Sequence, residues 1–337
     1  KQKTAYEIST RDWSSDVCSS DLEDELSPSA APRWLRGIFF ANLVAQIAIV
    51  VTGGVVRLTG SGLGCPTWPE CVPGSYVPTA RQEEAWHKYV EFGNRTLTFV
   101  LGLLAIAAAV GAVAWAISRR RQGRSARGPL IVLAFVPLLG TFAQAVLGGI
   151  TVLTGLNPAA VAGHFLVSMA IIAGCVVLWV RSGESGDHPR TWLVRPEVRW
   201  LGRLLVAVTF VVVVLGTVVT GSGPHSGDAD TEARFGFDPR TVSWLHADVV
   251  LLFLGLTIGM LLVASVVDAP RRTRTCAWTL LIIALIQGAI GYSQYFSGLP
   301  WVLVAIHMLG ASLVWTFSIF LLMSLRTRGT IPPATTR

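Results

Sequence analysis

Apolar residues fall along the chain in eight blocks, at roughly 37–58, 87–118, 129–152, 159–181, 200–221, 241–267, 274–296 and 300–325, separated by short polar stretches. Each block is long enough to cross a hydrocarbon core roughly 30 Å thick as a helix rising about 1.5 Å per residue. Open strands would leave backbone groups unpaired in lipid, so the pattern predicts an all-α polytopic membrane protein with eight transmembrane helices. The expected division is a leader over 1–32, a four-helix bundle over 33–182, a cytoplasmic linker over 183–199, a second four-helix bundle over 200–326 and a cytoplasmic tail over 327–337.

Composition narrows the class. Of the 337 residues, 14% are charged and 52% hydrophobic, against about 25% charged in a typical soluble domain. The mean hydropathy is +0.57. These values exclude a disordered chain, a disulfide-rich secreted mini-protein and a soluble enzyme. The net charge of +7 is a topology signal. Arg33 and Arg36, the run Arg119 to Arg127, Arg181 to Arg199, Arg271 to Arg274, and Arg326 with Arg328 all fall on one side of the alternating spans. The other loops carry few cations or are balanced by Asp228, Asp230, Glu232 and Asp238. The positive-inside rule then makes both termini cytoplasmic, and a nucleic-acid surface has little support. Lys1–Leu22 has no apolar run and is not a secretory signal. It resembles translated adapter sequence, with a disordered tail as the alternative, and is set aside together with Cys18.

Shifting the sequence by 143 residues lays spans 3 and 4 over spans 7 and 8. Gln144 meets Gln287, Gly148 meets Gly291, Gly155 meets Gly298, Leu156 meets Leu299, and His164 meets His307, within eight identities over the 23 positions 144–166. Thr59-Gly60-Ser61-Gly62 is echoed by Thr220-Gly221-Ser222-Gly223. Both copies leave a span in the same direction, so the expected architecture is a parallel duplication of a four-helix unit.

Four histidines lie in or at the mouth of spans, all toward the outer side: His87, His164, His246 and His307. Glu91 follows His87 by one helical turn, on the same face. A single membrane histidine is often interhelical glue, worth about 0.6–2 kcal/mol, yet ionisable groups inside spans point to function by default. Two imidazoles from facing helices can hold a haem iron from both sides, and His246 with His307 supply such a pair. In the first unit His164 matches His307, but the position matching His246 is Asn94. One half therefore offers a closed two-imidazole site, and the other an open site bearing a carboxylate. Arg57 and Arg95 either pair with porphyrin propionates or snorkel to lipid headgroups. Asp248, two residues from His246, is expected to point elsewhere. His188 and His225 are expected to be solvated, and Cys175 and Cys276 to be packing residues. Cys65 and Cys71 sit in the first external loop, on the oxidising side where a disulfide persists. Free thiols and a metal site are the alternatives, the latter poorly served without a nearby histidine.

The run GGVVRLTGSGLGCPTWPEC (53–71), the EFGNR stretch at 91–95 and the Gln…His spacing in both halves resemble the haem A synthase family, over about residues 33–326. The resemblance implies a bacterial plasma-membrane oxidoreductase with its active site toward the outer leaflet. Its reaction is oxidation of the position-8 methyl of haem O to a formyl group, by two hydroxylations and loss of water, giving haem A for cytochrome oxidase. It implies a haem b cofactor on His246 and His307, substrate haem O with His164 in the first half, Glu91 as the catalytic carboxylate, and the external pair Cys65 and Cys71. Haem O synthase (protohaem farnesyltransferase), an electron acceptor and membrane lipid are the implied partners. The family histidine after the glutamate is Asn94 here, a variant resembling the actinobacterial branch. His87 is then the candidate second ligand of the substrate iron, with a five-coordinate or water-ligated iron as the competing reading. A di-haem electron-transfer cytochrome and a non-catalytic haem carrier are the alternative functions.

Overall fold

The computed structural model describes residues 30–80, 82–228 and 233–328. The leader segment 1–22, the tail beyond Arg328, and the outer-loop acids Asp230 and Glu232 lie outside the described residues. Eight helices among those described are long and apolar enough to cross a membrane. They are α1 (Arg33–Leu58), α2 (His87–Arg121), α3 (Gly128–Leu153), α4 (Pro158–Ser182), α5 (Pro196–Ser222), α6 (Pro239–Val266), α7 (Arg271–Phe296) and α8 (Trp301–Ser324). This is the polytopic all-α class expected from the apolar blocks, and the chain is a multi-pass membrane protein.

Three helices begin with proline at their first position: α4 at Pro158, α5 at Pro196 and α6 at Pro239. The missing N–H costs nothing there and the ring presets φ. Asn157 and Asp238 cap α4 and α6 by accepting from the backbone N–H groups of Ala159 and Thr241. Helix α3 is broken at Phe135, between Gly128–Ala134 and Val136–Leu153. Pro137 cannot donate to the carbonyl four residues back, and the Phe135 N–H bonds Val132 instead, at 3.2 Å.

The core lies where the two halves meet. Leu43 and Val50 of α1, Met169, Ile172 and Val176 of α4, Val213 of α5, and Trp315 and Ile319 of α8 form one buried cluster. The Trp315 Nε1–H donates to the Met169 carbonyl across the α4–α8 contact, at 2.7 Å. Cys175 is buried in that cluster, as expected of a packing residue.

The arginine-bearing helix ends gather at one face of the bundle. There the segment expected to be a plain linker forms a short antiparallel pair, β1 (Thr191–Trp192) with β2 (Arg326–Thr327). Glu184 pairs with Arg181 at 2.8 Å and Arg326 at 2.7 Å. Asp187 pairs with Arg181 at 2.6 Å and lies 3.6 Å from Arg127. Burial lowers the Arg127 guanidinium from its ordinary range, opposed by the nearby Asp187 carboxylate. The segment after α4 is thereby clasped to the end of α8.

The loops at the other face interlock. The Gly62 N–H donates to Gly227 O at 2.8 Å, and the Leu156 side chain packs against both glycines. His225 Nε2 contacts the Leu299 carbonyl at 3.0 Å, so His225 is a loop-to-loop tie and not the solvated side chain expected. Leu156 and Leu299 both adopt positive φ, 59° and 60°, at the matched turns TGLN and SGLP.

Candidate functional site

One continuous cavity of about 1780 Å³ opens among the helices near this interlocked face, lined by residues of all eight spans and of the first outer loop. Pockets for a single small ligand usually measure about 300–1,000 Å³, so this space takes in more than one such ligand. His164, His246, His307, Glu91, Asn94, Arg57 and Arg95 all contribute to its wall.

The three histidines share a construction. The Nδ1 atoms of His164, His246 and His307 are buried without a hydrogen-bond partner, and buried polar groups are ordinarily satisfied. Each ring leans on a glycine of an adjoining helix. A Cβ placed at Gly148 would stand 3.5 Å from His164 Cε1, at Gly216 3.5 Å from His246 Cε1, and at Gly291 3.1 Å from His307 Cε1. The paired glutamines fix the backbone beneath two of the rings. Gln144 Nε2 donates to His164 O at 3.0 Å, and Gln287 Nε2 to His307 O at 2.8 Å. Gln144 also donates to the Ser168 hydroxyl, whereas Gln287 packs against Gly310, where no side chain fits. His246 and His307 lie within electrostatic reach of one another. Histidines with an unpartnered ring nitrogen, backed by glycine and facing a large apolar cavity, suit the axial ligands of haem iron.

Glu91 is buried and tied down from two sides. Its Oε2 accepts from the Cys65 N–H at 2.6 Å. Its Oε1 accepts from Arg95 Nε at 3.0 Å and Nη2 at 2.6 Å. Arg95 donates further to the carbonyls of Cys65 (2.8 Å), Thr67 (3.0 Å) and Glu70 (3.3 Å). The Cys65–Cys71 disulfide is formed and closes this part of the outer loop. Gln82 Nε2 donates to Gly64 O at 3.0 Å, and Lys88 Nζ to Thr79 O at 2.8 Å. The Trp68 indole lies against Gly149 of α3, where any side chain would collide. The loop is thus a fixed cover over the first-half end of the cavity, with Glu91 at its underside.

Several of the expected site residues have partners within the protein. His87 is not among the cavity-lining residues: its Nδ1 lies 2.9 Å from the Ser61 hydroxyl and its ring stacks on Trp86. Placed at the first residue of α2, it is engaged by the outer loop. Arg57 lines the cavity and is held by backbone carbonyls of the second half. Its guanidinium donates to His225 O at 2.8 Å and Thr220 O at 3.3 Å, tying α1 to the second half. Arg95 is likewise engaged by Glu91 and the loop. The Asn94 Oδ1 accepts from the Thr52 hydroxyl at 2.8 Å. Asp248 does line the cavity, because the cavity takes in more than one face of α6. Thr52 was not legible as a site residue, since nothing in an apolar span marks one threonine for a partner 42 residues on.

Comparison with known proteins identifies the family. Haem A synthase of Halalkalibacterium halodurans is 25% identical over 291 residues, covering 84% of this chain and 94% of that protein. Haem A synthase of Alkalihalophilus pseudofirmus is 25% identical over 267 residues, covering 76% and 83%. Haem A synthase of a Methylobacterium is 32% identical over 226 residues, covering 57% and 58%. Residues 36–225, more than half of the chain and including the outer loop, Glu91 and His164, match the COX15-CtaA family, described as cytochrome oxidase assembly protein. With that match and an eight-span helical fold, the chain belongs to the COX15-CtaA family of cytochrome oxidase assembly proteins.

Proposed function

We propose that the protein acts as a haem A synthase, a membrane oxidoreductase that converts the position-8 methyl of haem O to a formyl group for cytochrome oxidase. The observation that carries this reading is the sharing of one cavity by Glu91 and three histidines whose buried Nδ1 atoms have no hydrogen-bond partner. Haem O would occupy the first half with His164 as its imidazole, and His246 and His307 would hold haem b in the second half. Haem b, when bound, supplies a one-electron redox centre beside the substrate.

Turning a methyl into a formyl group takes one water and releases four protons and four electrons, so the site needs a proton acceptor and an electron acceptor. Glu91 takes a proton from the reacting carbon or its hydroxylated product. Arg95 and the Cys65 N–H hold that carboxylate in place, so its orientation is set before substrate arrives. The outer loop, fastened by Cys65–Cys71 and Trp68, excludes bulk water. The site faces the outer leaflet, opposite the arginine-rich face. Haem O synthase supplies the substrate and an external acceptor removes the electrons.

The test is Glu91→Gln expressed in membranes supplied with haem O. Haem A formation should fall by about 10²–10⁴-fold, the usual contribution of a positioned acid–base group, with haem O accumulating and haem b retained. Haem A produced at the wild-type rate would refute the assignment. A di-haem electron carrier across the bilayer would require imidazole pairs toward both faces, whereas these histidines share one cavity at one end.

A further inference from the structure

A second cavity of about 410 Å³ adjoins the first and shares Ile106 with it. It is lined by apolar side chains alone. Ile106, Ala109, Val110, Val113, Ala114 and Ile117 form one wall, at the i, i+3, i+4, i+7, i+8, i+11 spacing of a single face of α2. Phe135 and Leu138 of α3 form the other, at the helix break ahead of Pro137. The groove runs from the main cavity toward the arginine-rich face for eleven residues, roughly 16 Å of helix.

The second half of the chain differs at several positions of this groove. Under a shift of 152 residues Ala109 becomes Leu261 and Ala114 becomes Val266; under 153 they become Leu262 and Val267. The shift of 143 for the facing helix turns Pro137 into Leu280 and Phe135 into Trp278. Leu261 and Leu280 are buried. The helix break is confined to the half assigned to haem O, since α7 runs unbroken over Arg271–Phe296, whereas the other α2 wall positions change in both directions: under 152, Val113 and Ile117 meet Ser265 and Ala269. The two haems differ as well: haem O carries a farnesyl-derived tail and haem b does not.

We propose that the α2–α3 groove is the subsite for the isoprenoid tail of the substrate. This rests on the haem O reading above. Lipid chains are as apolar as the groove, so its service is orientation more than affinity. A ring held by one imidazole is free to turn about that bond. A tail seated in the groove removes that rotation and fixes which methyl is presented toward Glu91. An acyl chain of the surrounding bilayer is the competing occupant.

The experiment uses the full chain in lipid nanodiscs, loaded with a haem O analogue bearing a photoactivatable diazirine at the tail end, followed by peptide mapping. Adducts are expected on the α2 segment 106–117 and on Phe135–Leu138, suppressed by unlabelled haem O and far less by haem B. Ala114→Trp projects a ring into the groove from an exposed position. It should reduce those adducts by at least about tenfold, the size expected of overpacking. The double variant Ala109→Leu/Ala114→Val, which copies the second half, should do the same. Adducts on lipid, α6 or α7 with the analogue retained would overturn the tail subsite while leaving haem O as substrate. If haem O and haem B compete equally, or the analogue is not retained at all, the haem O reading itself falls and the subsite with it. Should both variants fail to fold, the wild-type adduct map decides alone.

Discussion

Replacing Arg95 by methionine separates the holding of the outer loop from the chemistry beneath it. The substitution keeps side-chain length and removes both bonds to Glu91 and the donors to three loop carbonyls. The Glu91 side chain is 7% exposed and that of Arg95 22%. Removing one partner of a buried ion pair costs about 3–5 kcal/mol, and the lower figure applies because water reaches the arginine side. A local destabilisation of about 3 kcal/mol corresponds to roughly a hundredfold change in an opening equilibrium. Amide hydrogen exchange reads that equilibrium directly. Gly64 and Cys65 should therefore exchange about a hundredfold faster in Arg95→Met, with the α4–α8 core unchanged. Arg95→Lys should fall between, since an ammonium keeps the charge but cannot reach the carboxylate and three carbonyls together. Glu91→Gln preserves an acceptor for the Cys65 N–H, so it should disturb the loop less while abolishing haem A formation. Acceleration of less than about threefold at Cys65 in Arg95→Met would refute the claim that this arginine fastens the cover.

Three other outcomes follow from the same geometry. His246→Ala or His307→Ala should remove the low-spin haem b spectrum from the purified protein, whereas His164→Ala should spare it and abolish haem O binding; a haem b signal surviving loss of either ligand contradicts the pairing. Asn94→His supplies the imidazole missing from the first pocket, with the Thr52 hydroxyl still able to donate to a ring nitrogen; bound haem O should shift from a high-spin to a low-spin absorption spectrum. The Asp238 carboxyl is held below its ordinary range by the Thr241 hydroxyl and N–H. A group depressed in the folded state stabilises above its unfolded pKa and loses that contribution as pH falls through the folded value. Thr241 amide protection should therefore be full at neutral pH and decline only below the ordinary carboxylate range, and Asp238→Asn should flatten that decline.

The eight spans were legible because each crosses lipid, and lipid enforces uninterrupted apolar sequence. Their ends were less so. The sequence places the start of the fifth span at 200, yet α5 begins at Pro196. Pro196, Glu197 and Arg199 are helical but not lipid-facing in composition, and hydropathy marks where lipid ends and not where a helix does. The linker 183–199 reads as polar spacer, although Glu184 and Asp187 draw it into an arginine cluster and Thr191–Trp192 pairs with the last strand. Loop partners were the least legible. The i, i+4 spacing of His87 and Glu91 gave them one face, but His87 is the first helical residue, where Ser61 and Trp86 compete for its ring. The partners of Arg57 lie 163 and 168 residues away, a separation on which no local pattern reports.

The duplication carries information of two kinds. Positions kept in both units prove to be those that hold an imidazole: a glutamine on the histidine carbonyl, a glycine against the ring, and a left-handed leucine in the turn between. On the proposed reading their chemistry is needed twice, once for each tetrapyrrole. Among the positions that differ, four lie on α2 and the helix facing it: Asn94 for His246, Ala109 and Ala114 for leucine and valine, and Pro137 for Leu280. An open ligand position beside Glu91 is what a substrate that must react requires, and an apolar groove suits the one tetrapyrrole of the two that bears a tail. On that reading, Asn94, Ala109, Ala114 and Pro137 are the residues to exchange between halves in order to separate substrate from cofactor.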